Sequence, residues 1–161
     1  MQSEAVNGIV GSGPLSAVRP GGIRLRGALA AAACGGVLAL AAALRPHAGG
    51  FGTHTELGLP GCTFLSRTGY PCPSCGLTTS FAWMARGRMD KAFEAHPFGV
   101  AAFLIVAAVA LAGAAELAGG RNVLGRIRPR GWWAVAAAAG LFGGWGLKVA
   151  WGLAGGTLPL R

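Results

Sequence analysis

Three long apolar stretches alternate with polar connections along the chain. They run from Gly27 to Leu44, from Phe98 to Ala118 and from Trp132 to Leu153. A helix needs about 20 predominantly apolar residues to cross a bilayer, so each stretch reads as a span, the first a little short. The second is the clearest, since Glu116 near its end is its one charged residue. Glu116 is expected at the lipid boundary, within reach of Arg121. The third stretch contains Lys148 close to its far end, which is expected to snorkel to the interface. Trp132 and Trp133 at one end and Trp151 at the other suit interfacial anchors. Arg24 and Arg26 followed by the apolar run and Ala41-Ala42-Ala43 also fit a cleaved signal peptide. The run is longer than a usual signal core and starts late, which favours a span.

Between the first two spans lies a long connection, residues 45–97. Phe51 to Thr63 reads as irregular, broken by Gly52, Gly58, Pro60 and Gly61. Thr68-Gly69-Tyr70-Pro71 reads as a turn, and Pro71 and Pro73 hold the chain extended around Cys72. After Gly76 the period changes. Leu77, Phe81, Met84 and Ala85 fall on one helical face. That helix is too short to span and reads as interfacial or re-entrant, with Leu77, Phe81 and Met84 toward lipid or the span bundle. Gly87 interrupts it. A second short helix is predicted from about Met89 to Ala95, with Ala92 and Phe93 inward and Lys91 and Glu94 outward. His96-Pro97 opens the second span, where proline suits the first helical turn. Residues 1–26 carry no apolar periodicity over most of their length and are predicted as a disordered tail, leaving 27–161 as one membrane domain.

Composition sharpens this into a fold class. Of 161 residues, 53% are hydrophobic and only 12% charged, half the usual charged share of a soluble domain. The predicted fold is therefore an all-α integral membrane protein with three transmembrane helices, the lipid bilayer its first partner. The net charge of +9 does not point to nucleic acid, because the basic residues flank apolar runs rather than forming an aromatic-laced stripe. Arg19, Arg24 and Arg26 precede the first span, and Arg121, Arg126, Arg128 and Arg130 separate the second and third. With three spans these segments share a side, which the positive-inside rule makes cytoplasmic. The long connection then faces outward, although Arg45, Arg67, Arg86, Arg88 and Lys91 dilute the bias. A multi-pass protein of the cell inner (plasma) membrane is expected. Gly140 and Gly144 form a small-xxx-small face on the third span that suits a neighbouring helix, in a partner membrane protein or a second copy.

The chemistry sits in the outward connection, in Cys72-Pro73-Ser74-Cys75-Gly76 with Cys62 and His54 upstream. Cys-x-x-Cys can grip a soft metal such as zinc, with Cys62 and His54 completing four ligands. The same spacing can cycle between dithiol and disulfide, using Cys72 and Cys75 at the start of a helix, where the dipole favours a thiolate. A third reading is a purely structural brace, with the cysteines holding the loop for a partner. Cys34 in the first span reads as a small hydrophobe. His47 is expected in solvent and His96 as a cap or packing residue beside Pro97. Neither Asp90 nor Glu94 has a carboxylate partner for acid–base work, and no phosphate loop or serine-nucleophile motif appears. The chain thus reads as a binding or assembly protein rather than an enzyme.

The run from Cys62 to Ser80, followed by Arg86-Gly87 and His96-Pro97-Phe98-Gly99, resembles a family of small bacterial membrane proteins, DUF2752. The shared pattern is T-G-x-x-C-P-x-C-G-x-T, a small-residue helix, a turn, and a His-Pro or Asn-Pro before a span. Many members carry arginine where this chain has Thr79. The resemblance implies a multi-span membrane protein with a cysteine motif and no assigned reaction.

Overall fold

A computed structural model of the chain describes residues 20–47, 49–50, 52–127 and 130–158. Every regular element among them is helical. Helix α1 spans Pro20–Ala43, followed by a 3₁₀ turn at Thr53–Leu57, then α2 (Thr63–Thr68), α3 (Leu77–Met84), α4 (Met89–Ala95) and α5 (Pro97–Gly119). A second 3₁₀ turn, Leu124–Arg126, leads into α6 (Gly131–Ala154). Helices α1, α5 and α6 are each long and apolar enough to cross a membrane. At 23 or 24 residues each is about 35 Å long, against a hydrocarbon core of about 30 Å. Little of their surface is covered by protein, which leaves it for lipid.

Helix α1 begins at Pro20, ahead of the start predicted at Gly27. The added turns contain Arg24 and Arg26, charges that an apolar count stops at but that a helix carries through the headgroup layer. The expected tail otherwise falls on residues 1–19, outside the described residues. The 3₁₀ turn at Thr53–Leu57 lies where an irregular chain was predicted, and helix α2 fills the stretch between that segment and the turn predicted at Thr68. Both are too short to show a period.

Helices α1 and α5 form the main pair. Their backbones meet at two glycines: a Cβ on Gly27 would stand 2.7 Å from the Gly113 carbonyl oxygen, and one on Gly113 would stand 2.8 Å from the Gly27 oxygen. Close backbone approach of this kind is how helices gain packing in lipid, where the hydrophobic effect does not drive them together. Just beside this crossing, Arg26 grips Glu116 with two hydrogen bonds, Nη2 to Oε1 at 2.6 Å and Nε to Oε2 at 3.1 Å. The Leu124 backbone N–H also donates to Glu116 Oε1, at 2.6 Å. Glu116 has no exposed surface. Its partner is therefore Arg26 across the helix pair, not the expected Arg121, because the carboxylate points into the interface rather than along its own helix end.

Helix α6 meets the rest of the chain chiefly near the long connection between α1 and α5. Gly140 lies against the Phe98 ring, and Gly144 against His96 and the Phe98 backbone nitrogen. The small-xxx-small face is thus filled by the first turn of α5 in the same chain. Phe93 stacks obliquely on Trp151, ring centroids 6.1 Å apart, and stays half-exposed rather than turning inward. Lys148 does not snorkel. Its ammonium donates to the carbonyls of Ala95 at 2.6 Å and Gly50 at 3.2 Å, since the end of α6 meets the loop layer and those carbonyls replace water.

Between α1 and α5 the short helices form a cap. Helix α3 buries Thr79, Ser80, Ala82 and Met84. Leu77 and Phe81 of its apolar face are half-buried, with Phe81 edge-on to Phe103 at 5.5 Å. The polar residues turn inward because each finds a partner: Thr79 Oγ1 lies 2.8 Å from Thr53 Oγ1, and Ser80 Oγ donates to the His96 carbonyl at 3.3 Å. The His47 backbone N–H donates to Thr53 Oγ1 at 3.0 Å, which ties the end of α1 into the same network. The His47 ring is exposed, and Cys34 is half-exposed on α1.

Candidate thiol site

The site is built on the turn between α2 and α3. Pro71 and Pro73 restrict the backbone on both sides of Cys72. The Cys75 N–H closes back on the Cys72 carbonyl at 2.9 Å, and the Leu77 N–H on that of Ser74 at 3.2 Å. Gly76 ends the turn with φ +95° and caps α3. That left-handed geometry strongly favours glycine, and the surroundings demand it too: a Cβ there would strike the Ala95 carbonyl oxygen, the Lys148 ammonium at 2.7 Å and the Gly50 oxygen at 2.8 Å. Cys62 comes from the other side, immediately before α2.

This turn brings three sulfurs together. The ligand atoms of Cys62, Cys72 and Cys75 all lie within 4.8 Å of one another. The Cys72 and Cys75 sulfurs stand 3.1 Å apart, and Ser74 Oγ is 3.3 Å from the Cys72 sulfur. All three carry free thiols. They line a cavity of about 310 Å³ together with His54, Ser74 and Thr79. His54 shares that wall, but its ring nitrogens stand outside the cluster formed by the sulfurs. It also borders a second, apolar cavity between α1 and α3, lined by residues including Leu40, Leu44 and Phe81.

The two thiols of the motif differ in character. For Cys72, burial works against the thiolate, but hydrogen bonds from Ser74, Cys75 and Cys62 outweigh it and bring the thiol from 9.0 down to about 7. Cys75 is buried, and burial together with the neighbouring Cys72 and Cys62 pushes its thiol up to about 12. One sulfur is therefore a ready thiolate near neutral pH, and the one beside it holds its proton.

Three further residues support the turn. His96 is fully buried, and its Nε2 lies 3.0 Å from the Pro73 carbonyl oxygen. A carbonyl only accepts, so Nε2 carries the proton and Nδ1, which has no partner, is left as an acceptor. Burial lowers the basicity of this ring, in keeping with a neutral imidazole. Trp145 on α6 donates its Nε1–H to the Pro71 carbonyl at 2.6 Å, and Lys148 closes on Gly50 and Ala95 beside Gly76. Sequence reasoning attached no site role to Trp145 and read Lys148 as an interface residue. The available signals were a tryptophan inside an apolar run rather than at its edge, and a lysine three residues after it.

No curated protein and no solved structure matches the chain. Residues 62–110, which hold Cys62, Cys72, Cys75, Gly76 and His96 but neither His54 nor any of α6, match the model of the family described as a protein of unknown function, DUF2752, so the cysteine-bearing part of this multi-pass helical chain carries that family's signature.

Proposed function

We propose that this protein is a membrane-anchored thiolate site that holds a soft metal ion through Cys62, Cys72 and Cys75, in a binding or assembly role rather than in turnover. The observation that carries this reading is the approach of all three sulfurs within 4.8 Å, which a dithiol alone would not require. Zinc takes thiolates at about 2.3 Å in a tetrahedral set, which puts sulfurs a little under 4 Å apart. The Cys72–Cys75 pair would open by less than an ångström from its 3.1 Å. His54, on the same cavity wall, is the candidate for a fourth ligand. The test is metal content of protein purified in detergent without chelators. The expected result is one zinc or comparable soft metal per chain, lost to background in each of Cys62→Ser, Cys72→Ser and Cys75→Ser. Full metal in Cys62→Ser would end the three-sulfur reading.

The contrast between Cys72 and Cys75 favours a second reading, a thiol–disulfide component facing outward from the inner membrane. Here the Cys72 thiolate attacks a disulfide of a partner protein, and Cys75 then displaces the partner as its dithiol while the Cys72–Cys75 bond forms. The test is alkylation of chelator-treated, reduced cells by a membrane-impermeant maleimide. Cys72 is protonated below its lowered value and a thiolate above it, so its labelling rate rises with pH through about 7 and levels off beyond. A midpoint at the ordinary thiol value of 9.0 would remove the nucleophile. Labelling of Cys72 only after cells are permeabilised would reverse the orientation.

A further inference from the structure

The carbonyls on either side of Cys72 are both captured by membrane helices. His96, at the start of α5, holds that of Pro73. Trp145, on α6, holds that of Pro71, a residue with essentially no exposed surface. Three residues further along the same helix, Lys148 donates to the carbonyls of Ala95 and Gly50, and its ammonium fills the space that a Cβ on Gly76 would enter. Residues three apart share one helical face. Trp145 therefore grips the first carbonyl of the Pro71–Gly76 turn, while Lys148, anchored on Ala95 and Gly50, packs against its last residue. A buried carbonyl that loses its donor gains no water in exchange, so the His96 and Trp145 bonds constrain the turn more than surface bonds would.

We propose that α6 is a positioning element for the thiol site: Trp145 and Lys148 hold the Pro71–Gly76 turn in the shape that aims Cys72 and Cys75 at Cys62. The inference rests on the metal reading above and adds to it residues that lie outside the segment shared with the family model. Trp145 acts on the backbone that carries the ligands, and Lys148 adds packing against Gly76 and a positive charge near Cys72 and Cys75. Loss of such outer partners of metal sites typically weakens metal affinity 10- to 100-fold.

The experiment is cadmium binding to the full-length, reduced and metal-stripped protein in detergent, followed by the sulfur-to-cadmium charge-transfer absorbance. Wild type is expected to bind one ion. Trp145→Phe, which keeps an aromatic ring but loses the N–H together with the five-membered ring that carries it, and Lys148→Met are each expected to weaken binding by about 10-fold or more. Their helical circular dichroism and thermal midpoints should stay near wild type, and Trp132→Phe at the far end of α6 should leave affinity unchanged. If Lys148→Met fails to accumulate, Trp145→Phe decides. Wild-type affinity in Trp145→Phe overturns the inference and leaves the metal site standing. If wild type itself binds no cadmium, the metal reading fails, and capture of paired thiols by phenylarsine oxide reads the sulfur geometry instead. Slower capture by Trp145→Phe than by wild type then supports the positioning role, and equal capture ends it.

Discussion

Gly76→Ala is expected to abolish the thiol site and to lower accumulation of the protein sharply. Two effects add. The position has φ +95°, where a residue with a Cβ is strained by about 1–2 kcal/mol. The new methyl would also meet the Ala95 and Gly50 carbonyl oxygens and the Lys148 ammonium. Two of those are backbone atoms that cannot swing aside as a flexible side chain would. To relieve the collision, the turn must move away from α4 and α6, and with it Cys75, the neighbouring residue. The measurement is yield of folded protein in detergent together with bound metal and the count of reactive thiols. Alanine at this position with wild-type yield and wild-type metal content would mean that the turn has room to adopt another shape.

The second large effect is expected at the crossing of α1 and α5. Gly113→Val should separate the two helices. Even the first carbon of the new side chain would stand 2.8 Å from the Ala31 backbone nitrogen and 2.8 Å from the Gly27 carbonyl oxygen. Overpacking usually costs about 1–3 kcal/mol, and here the obstacle is backbone, so the cost falls at the upper end or above. Separation would also pull Arg26 from Glu116, whose carboxylate has no exposed surface, and leave a charge without its partner at the helix interface. The readout is thermal unfolding in detergent and the yield of monodisperse protein. A control at Gly35, where a Cβ meets nothing within 4 Å, should tolerate valine far better. Equal behaviour of the two variants would show that the crossing is not a close contact.

Much of the architecture was legible in the chain because lipid imposes a one-dimensional rule. A span needs a run of apolar residues of set length, and that alone located α1, α5 and α6 to within a few residues at most ends. The shift of α1 to Pro20 arose where arginines interrupt the apolar run while the helix continues. The periodicity after Gly76, the Pro97 start of α5 and the short helix at Met89–Ala95 were local signals and were equally readable. The cysteines announced themselves by type and spacing. His54 did so as well, by type alone, and its ring stands beside the three sulfurs without joining them.

What the tertiary structure decided is which polar groups meet. The hydrogen bonds that join the long helices to each other and to the connection link residues far apart in sequence: Arg26 and Glu116, Pro71 and Trp145, Ala95 and Lys148. No spacing rule links such residues, because their meeting depends on how the helices cross. In a setting with little water each buried donor must find an acceptor within the protein. That requirement turned Thr79 and Ser80 inward on α3, kept Lys148 from the interface, and brought Trp145 to the turn that carries Cys72. Composition and period determined where the helices run and where the thiols lie. The need to satisfy buried polar groups across helices determined which residues surround those thiols.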